Sequence, residues 1–205
     1  MNEPDDRAGP CGGRVVVRRW RRVDLDEAAS WAGGTFEKMP TEARDEYFEV
    51  RDGRSGSYHF AVEDASGRLA GLVGISDIHE TGRIAYNLTS RFRPDAEAAG
   101  LAVPALRVLL RWCFDQLKLL KVCAVVPATD VPLLEVHRAC GFEEAWDFWQ
   151  PAPEDAFAVG TRPTLDRTLS YVKNERNKTY VKHVVVELTA AAFETRVKED
   201  EDVRG

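Results

Sequence analysis

Long apolar runs are missing from this chain: nowhere do about 18 or more apolar residues follow one another, so no helix is expected to span a bilayer. Cysteine is scarce. Cys11, Cys113, Cys123 and Cys140 stand at no metal-ligand spacing, which excludes a disulfide scaffold and a zinc site; buried free thiols in a reducing cytoplasm are the simplest reading. No metal is expected. Positive charge is in deficit, with 28 Lys and Arg against 34 Asp and Glu, so wholesale nucleic-acid binding is not expected either. The opening residues 1–13 are acidic, carry Gly and Pro, and lack the apolar core of a signal peptide. They read as a disordered leader.

What is present is enough for one core. A chain of 205 residues that is 44% hydrophobic supports a single domain, placed at 14–193 with an acidic tail over 194–205. Arg14 to Trp20 alternates valine with arginine as a half-buried strand does. Asp24, with Glu27 three residues on, opens a helix through Ala32, and Pro40-Thr41 opens another through Val50. Tyr58 to Asp64 and Leu69 to Ile78 read as a hairpin around Ala65-Ser66-Gly67, and Gly82 to Leu88 as the third strand of a meander. A helix from Leu101 to Leu117, a strand from Leu120 to Val126 and a helix ending at Cys140-Gly141-Phe142 follow. Phe142 to Trp149 and Tyr180 to Leu188 are the last strands, and Ala190 to Glu199 a terminal helix. Between those strands, residues 150–180 form an insertion with Pro151, Pro153 and Pro163 and one short helix over Asp166 to Val172.

The joint Ala98-Ala99-Gly100-Leu101-Ala102 organises the rest. Small residues let the backbone curl, so amide hydrogens at a helix start can converge on an anion, aided by the helix dipole. Pro104 suits the first turn, where its missing N–H costs nothing.

Glu97-Ala98-Ala99-Gly100-Leu101-Ala102 fits the Gln/Arg-x-x-Gly-x-Gly/Ala loop of the GNAT acyltransferases at its glycine and final alanine, with Glu97 replacing the leading basic residue. With Cys140-Gly141-Phe142 and the hairpin, it resembles that superfamily over residues 14 to 146, and within it the branch that acetylates N-terminal amines of ribosomal proteins. The resemblance implies an α/β fold with a mixed, largely antiparallel central sheet flanked by helices. It implies an N-acyltransferase using acetyl-CoA or another acyl-CoA, in which an amine attacks the thioester directly. The acceptor would be a small-molecule or peptide amine, and the protein a cytoplasmic monomer or homodimer.

Acyl transfer needs amides for the donor's phosphates, a neutral attacking nitrogen and a proton for the leaving thiolate. The first falls on Ala98, Ala99, Gly100, Leu101 and Ala102, with Asp130 at the position of the family's asparagine that contacts the donor arm. Asp130 is equally suited to cap the helix it opens. Arg91 and Arg93 stand close enough in sequence to offset Glu97. His137 occupies the family's tyrosine position and would give the thiolate its proton. Arg83 holds the place of a frequent glutamate but cannot act as a base, which leaves Asp77, His79 and Glu80. Leu133 stands where the nearest relatives carry serine. Trp146 and Glu144, with Arg83 and Asn87, would line the acceptor side. Two other readings stay open: a GNAT scaffold diverged into a ligand- or partner-binding protein, and a transferase using a non-CoA donor such as aminoacyl-tRNA. The latter is motivated by Arg167, Lys173, Arg176, Lys178 and Lys182 beside Tyr171 and Tyr180 in the insertion.

Overall fold

The computed structural model describes residues 15–31, 39–52, 56–152, 171–175 and 178–202. In chain order these form β1 (Val15–Arg19), α1 (Arg22–Ala29), α2 (Thr41–Asp52), β2 (Tyr58–Asp64), β3 (Leu69–His79), β4 (Ile84–Phe92), α3 (Pro94–Ala98), α4 (Ala102–Asp115), β5 (Lys121–Pro127), α5 (Val131–Ala139), β6 (Glu143–Pro151), β7 (Val172–Glu175), β8 (Lys178–Thr189) and α6 (Ala190–Asp202). One sheet runs β1-β2-β3-β4-β5-β8-β6, with β7 paired to β8. Every pairing is antiparallel except that of β4 with β5. The expected mixed, largely antiparallel sheet flanked by helices is the fold observed.

Burial follows the pleat. Val15, Val17, Phe60, Val62 and Val73 turn toward α4, whose Ala105, Leu106, Leu109, Leu110 and Cys113 form one buried stripe. Each leucine buried there contributes roughly 1.5–3 kcal/mol. Leu134, Phe142 and Phe193 extend the same layer, with Phe114 and Phe193 ring centroids 5.3 Å apart. A smaller layer forms on the opposite face, where Trp20, Leu25, Ala28, Ala61 and Leu69 pack with Tyr47 and Phe48 of α2. Asp24 is buried in this region and accepts from Arg18 at 2.8 Å on each carboxylate oxygen and from the Arg21 amide at 2.6 Å. It pins α1 to the edge of the sheet.

The sheet is not uniform. Beyond Ile84↔Lys121 and Ala85↔Val122, β4 and β5 no longer pair and the strands part. Just there, Asp77 adopts φ 57° and the Asp77/Tyr86 pair drops out of the β3–β4 ladder. Ile75 and Ile78 both contribute to the main core, as do Ala85 and Leu88, so the inward face of each strand switches across the kink. Strand β4 also runs on to Phe92, four residues beyond the expected Leu88. Tyr171 and Val172, expected in the insertion's helix, are a turn and the start of a strand, and the rest of that helix lies outside the described residues.

Candidate active site

Where β4 and β5 part, a cavity of about 390 Å³ opens between Asn87–Phe92 on one side and Val125–Pro127 on the other. At the end of the β3–β4 ladder the Arg93 amide donates to Ala70 O at 2.8 Å. Antiparallel pairs alternate, so Asn87, Thr89 and Arg91 exchange bonds with β3, while Leu88, Ser90 and Phe92 turn their backbone groups toward the gap. The gap thus offers a strand edge with no strand on it.

Among the described residues, three polar side-chain atoms around this cavity are buried without a partner: the Trp31 indole Nε1, the Ser90 hydroxyl and His137 Nε2. An unpaired buried polar group costs about 1–3 kcal/mol, so three at one cavity mark a place built to be filled. Trp31 lies just beyond α1, its amide donating to Ala28 O at 3.1 Å. His137, 1% exposed, has Nδ1 2.8 Å from Leu133 O, one turn earlier. A carbonyl can only accept, so Nδ1 carries the hydrogen and Nε2 the lone pair. Burial pushes the imidazole below its usual pKa. In this tautomer the neutral ring presents a lone pair at Nε2, an acceptor at the atom from which the expected role of His137 has a proton pass to the thiolate.

The organising joint also differs from expectation. Residues 94–98 form a helical turn, α3, rather than open loop, and Gly100 at φ 72° ends it. The Gly100 amide donates to Glu97 O at 2.9 Å and the Leu101 amide to Ala96 O at 3.1 Å, the paired bonds of a Schellman terminator. Ala99 donates to Asp95 O at 3.0 Å. Three amides expected to face an anion are therefore committed inside the turn. Ala98, Ala99, Gly100 and Leu101 do not line the cavity, whereas Ala102 and Glu97 do. At the start of α4, Pro104 has no N–H and Ala105 donates to Leu101 O at 3.2 Å, which leaves the amides of Ala102 and Val103. Arg93 is engaged by Asp95 and by Asp64 at 3.3 Å, and also donates to Leu69 O, so it does not offset Glu97.

The other expected residues divide. Asp130 lines the cavity, and its carboxylate caps α5 by accepting from the Leu133 amide at 3.1 Å. Asn87 lines it too, its Nδ2 donating to Ser76 Oγ at 3.0 Å. Asp77, His79, Glu80 and Arg83 stand outside the lining, at the kink and the β3–β4 turn. His79 Nδ1 accepts from the Gly82 amide at 2.9 Å, and Arg83 O accepts from Leu120 N at 2.7 Å. These two hold the turn and the start of β5. Trp146 is 59% exposed on β6, stacked toward Phe148, and Glu144 pairs with Arg138 at 2.6 Å. Neither reaches the cavity. In the described part of the basic insertion, Lys173 is engaged by Glu175 and the Trp149 and Tyr180 rings and Lys182 by Asp147, while Lys178 is exposed. Arg167 and Arg176 lie outside the described residues. Sequence reasoning missed Trp31 and Ser90. Only tertiary placement shows that a tryptophan after α1 and a serine on β4 share one cavity.

The architecture is thus a mixed sheet whose two parallel strands separate beside a helix start, with polar atoms lining the gap. The family is then plain. Residues 14–143 match the acetyltransferase (GNAT) domain, and the chain belongs to that family, whose members are acetyl-CoA-dependent N-acetyltransferases. No curated protein matches the chain. Among solved structures, a chimera of Vibrio cholerae spermidine N-acetyltransferase SpeG and hSSAT is similar at 18% identity and a TM-score of 0.68, over 88% of this chain and 98% of that one. The Vibrio cholerae enzyme in complex with CoA and spermine is similar at 17% identity and a TM-score of 0.66, over 88% and 98%. Its complex with manganese ions gives 19%, 0.65, 89% and 96%. These likenesses establish the fold.

Proposed function

We propose that this protein transfers an acyl group, most simply acetyl, from a pantetheine thioester such as acetyl-CoA to a primary amine, with the pantetheine arm lying between β4 and β5. The supporting observation is the trio of unpaired polar atoms at Trp31, Ser90 and His137. They supply two donors and an acceptor along a free strand edge, and the arm's two amides carry the complementary groups. The thioester supplies an activated acyl carbon. The attacking amine forms the new C–N bond as the C–S bond breaks, and the thiolate leaves to take up a proton.

This chain's residues position the reactants. The β4 edge aligns the arm, Asp130 holds the α5 turn, and the neutral His137 ring accepts a hydrogen bond. Asp77 is proposed as proton acceptor for the amine, because the carboxylate sits at the kink where β4 and β5 separate. Trp146 and Glu144 are proposed to flank the acceptor on the uncovered face of β6. For the acceptor itself, the resemblance to ribosomal-protein N-terminal acetyltransferases favours a peptide amine, and the solved neighbours act on spermidine. A panel of peptides with N-terminal alanine and of polyamines, assayed for thiol release with acetyl-CoA, tests the reading. Absence of acceptor-dependent thiol release across the panel would remove it.

A further inference from the structure

The two ends of the proposed donor site are unequal, and the inequality carries an inference that rests on the donor reading above. At the inner end, Trp31 Nε1, Ser90 Oγ and His137 Nε2 wait unpaired. At the outer end, where a diphosphate would lie against the start of α4, the three amides of Ala99, Gly100 and Leu101 are already bonded inside the α3 terminator. Among the described residues, the charged groups lining the cavity are one guanidinium, Arg91, and two carboxylates, Glu97 and Asp130. Asp130 is held by its own helix, whereas Glu97 has no ion pair among the described residues. A diphosphate entering here meets the Glu97 carboxylate as well as the Arg91 guanidinium, and two backbone N–H groups where a full turn would give more.

We infer that this enzyme recognises its donor through the pantetheine arm and draws little affinity from the nucleotide diphosphate, with Glu97 as the residue that sets this preference. The arm is the shared chemistry of CoA and of a carrier protein bearing the same prosthetic arm, and both become donors on equal terms as far as the cavity is concerned. Glu97 thus acts on specificity by repulsion rather than by contact.

Calorimetric titration of the full chain separates the contributions. Pantetheine is expected to bind within about tenfold of CoA, because little of CoA's affinity comes from beyond the arm. Adenosine 3′,5′-bisphosphate is expected to show no saturable binding. Glu97→Gln should tighten CoA by about fivefold and leave pantetheine unchanged, the size of one screened charge contact. Glu97→Arg should go further and make CoA binding weaken with added salt, more steeply than in the native chain. Trp31→Phe should weaken CoA and pantetheine by the same factor. A carrier protein bearing the arm, titrated alongside, tells whether the arm is accepted from both sources; refusal of the carrier confines the preference to CoA and contradicts equal access.

Pantetheine binding a hundredfold or more below CoA, or an unchanged CoA affinity in Glu97→Gln, overturns the inference while leaving the donor reading intact. Failure of both CoA and pantetheine to bind overturns the two together.

Discussion

His137 Nδ1 lies 2.8 Å from the carbonyl oxygen of Leu133, and the bond fixes the tautomer of a ring whose other nitrogen has no partner among the described residues. The ring is therefore neutral in the folded protein, with its pKa below the free value of about 6.5. The unfolded chain binds a proton near that value and the folded chain binds it only at lower pH. Between the two, the unfolded state holds more protons, so stability rises with pH and is lost as pH falls below about 6.5. Urea unfolding is expected to show a decline of up to about 1.4 kcal/mol per pH unit in that window. His137→Leu should flatten it and weaken donor binding, since the Nε2 acceptor is gone.

Asp77 offers a separation of backbone from charge. Its φ of 57° is a conformation that Asn tolerates as well as Asp, so Asp77→Asn keeps the kink and removes the carboxylate. With Asp77 as proton acceptor, kcat should fall by about 100-fold or more while the affinity for CoA stays unchanged. An unaltered kcat over the pH range would dismiss the assignment. Asp77→Val, which cannot adopt this φ cheaply, should instead cost stability.

Gly100 tests the terminator of α3. A Cβ there meets nothing within 4 Å, so the penalty of Gly100→Ala is conformational alone, set by φ 72°. A loss of about 1 kcal/mol is expected in chemical unfolding. Gly141, at φ 95°, ends α5 by the same pair of bonds, Gly141 N to Arg138 O at 2.9 Å and Phe142 N to His137 O at 3.1 Å. Gly141→Ala should be destabilising for the same reason, and it should disturb His137 as well.

Asp24 is the buried partner of Arg18 and the cap of α1, so Asp24→Ala removes two functions at once. It takes two charge-assisted bonds from a guanidinium whose side chain is 10% exposed, leaving it Glu63 at 2.6 Å and the Arg19 carbonyl at 3.0 Å. A loss of about 3–5 kcal/mol is expected by urea unfolding, against little change for removing Glu135 from its exposed pair with Arg138. Trp31, at the end of the same helix, should lose its place over the cavity, so donor affinity should fall with stability.

Much of the architecture was legible because it is written in local chemistry. Alternation set β1 to β3, apolar spacing set α4, and Gly100 and Gly141 marked turns that only a residue free to take positive φ can make. The donor region was legible as a location, but its details were not. A run of small residues says that amides are close to the surface of a turn; it does not say whether the preceding residues coil into α3 and take those hydrogens first. Likewise His137 was legible as a titratable side chain in the right helix, while its protonation state depends on a carbonyl and a burial that belong to the folded chain. The sequence by itself determined a mixed sheet with its helices, since period, turn residues and caps act over a few positions. Which polar atoms line the gap between β4 and β5, and that Arg91, Glu97 and Asp130 share its lining, was decided only when strands distant in the chain were brought together.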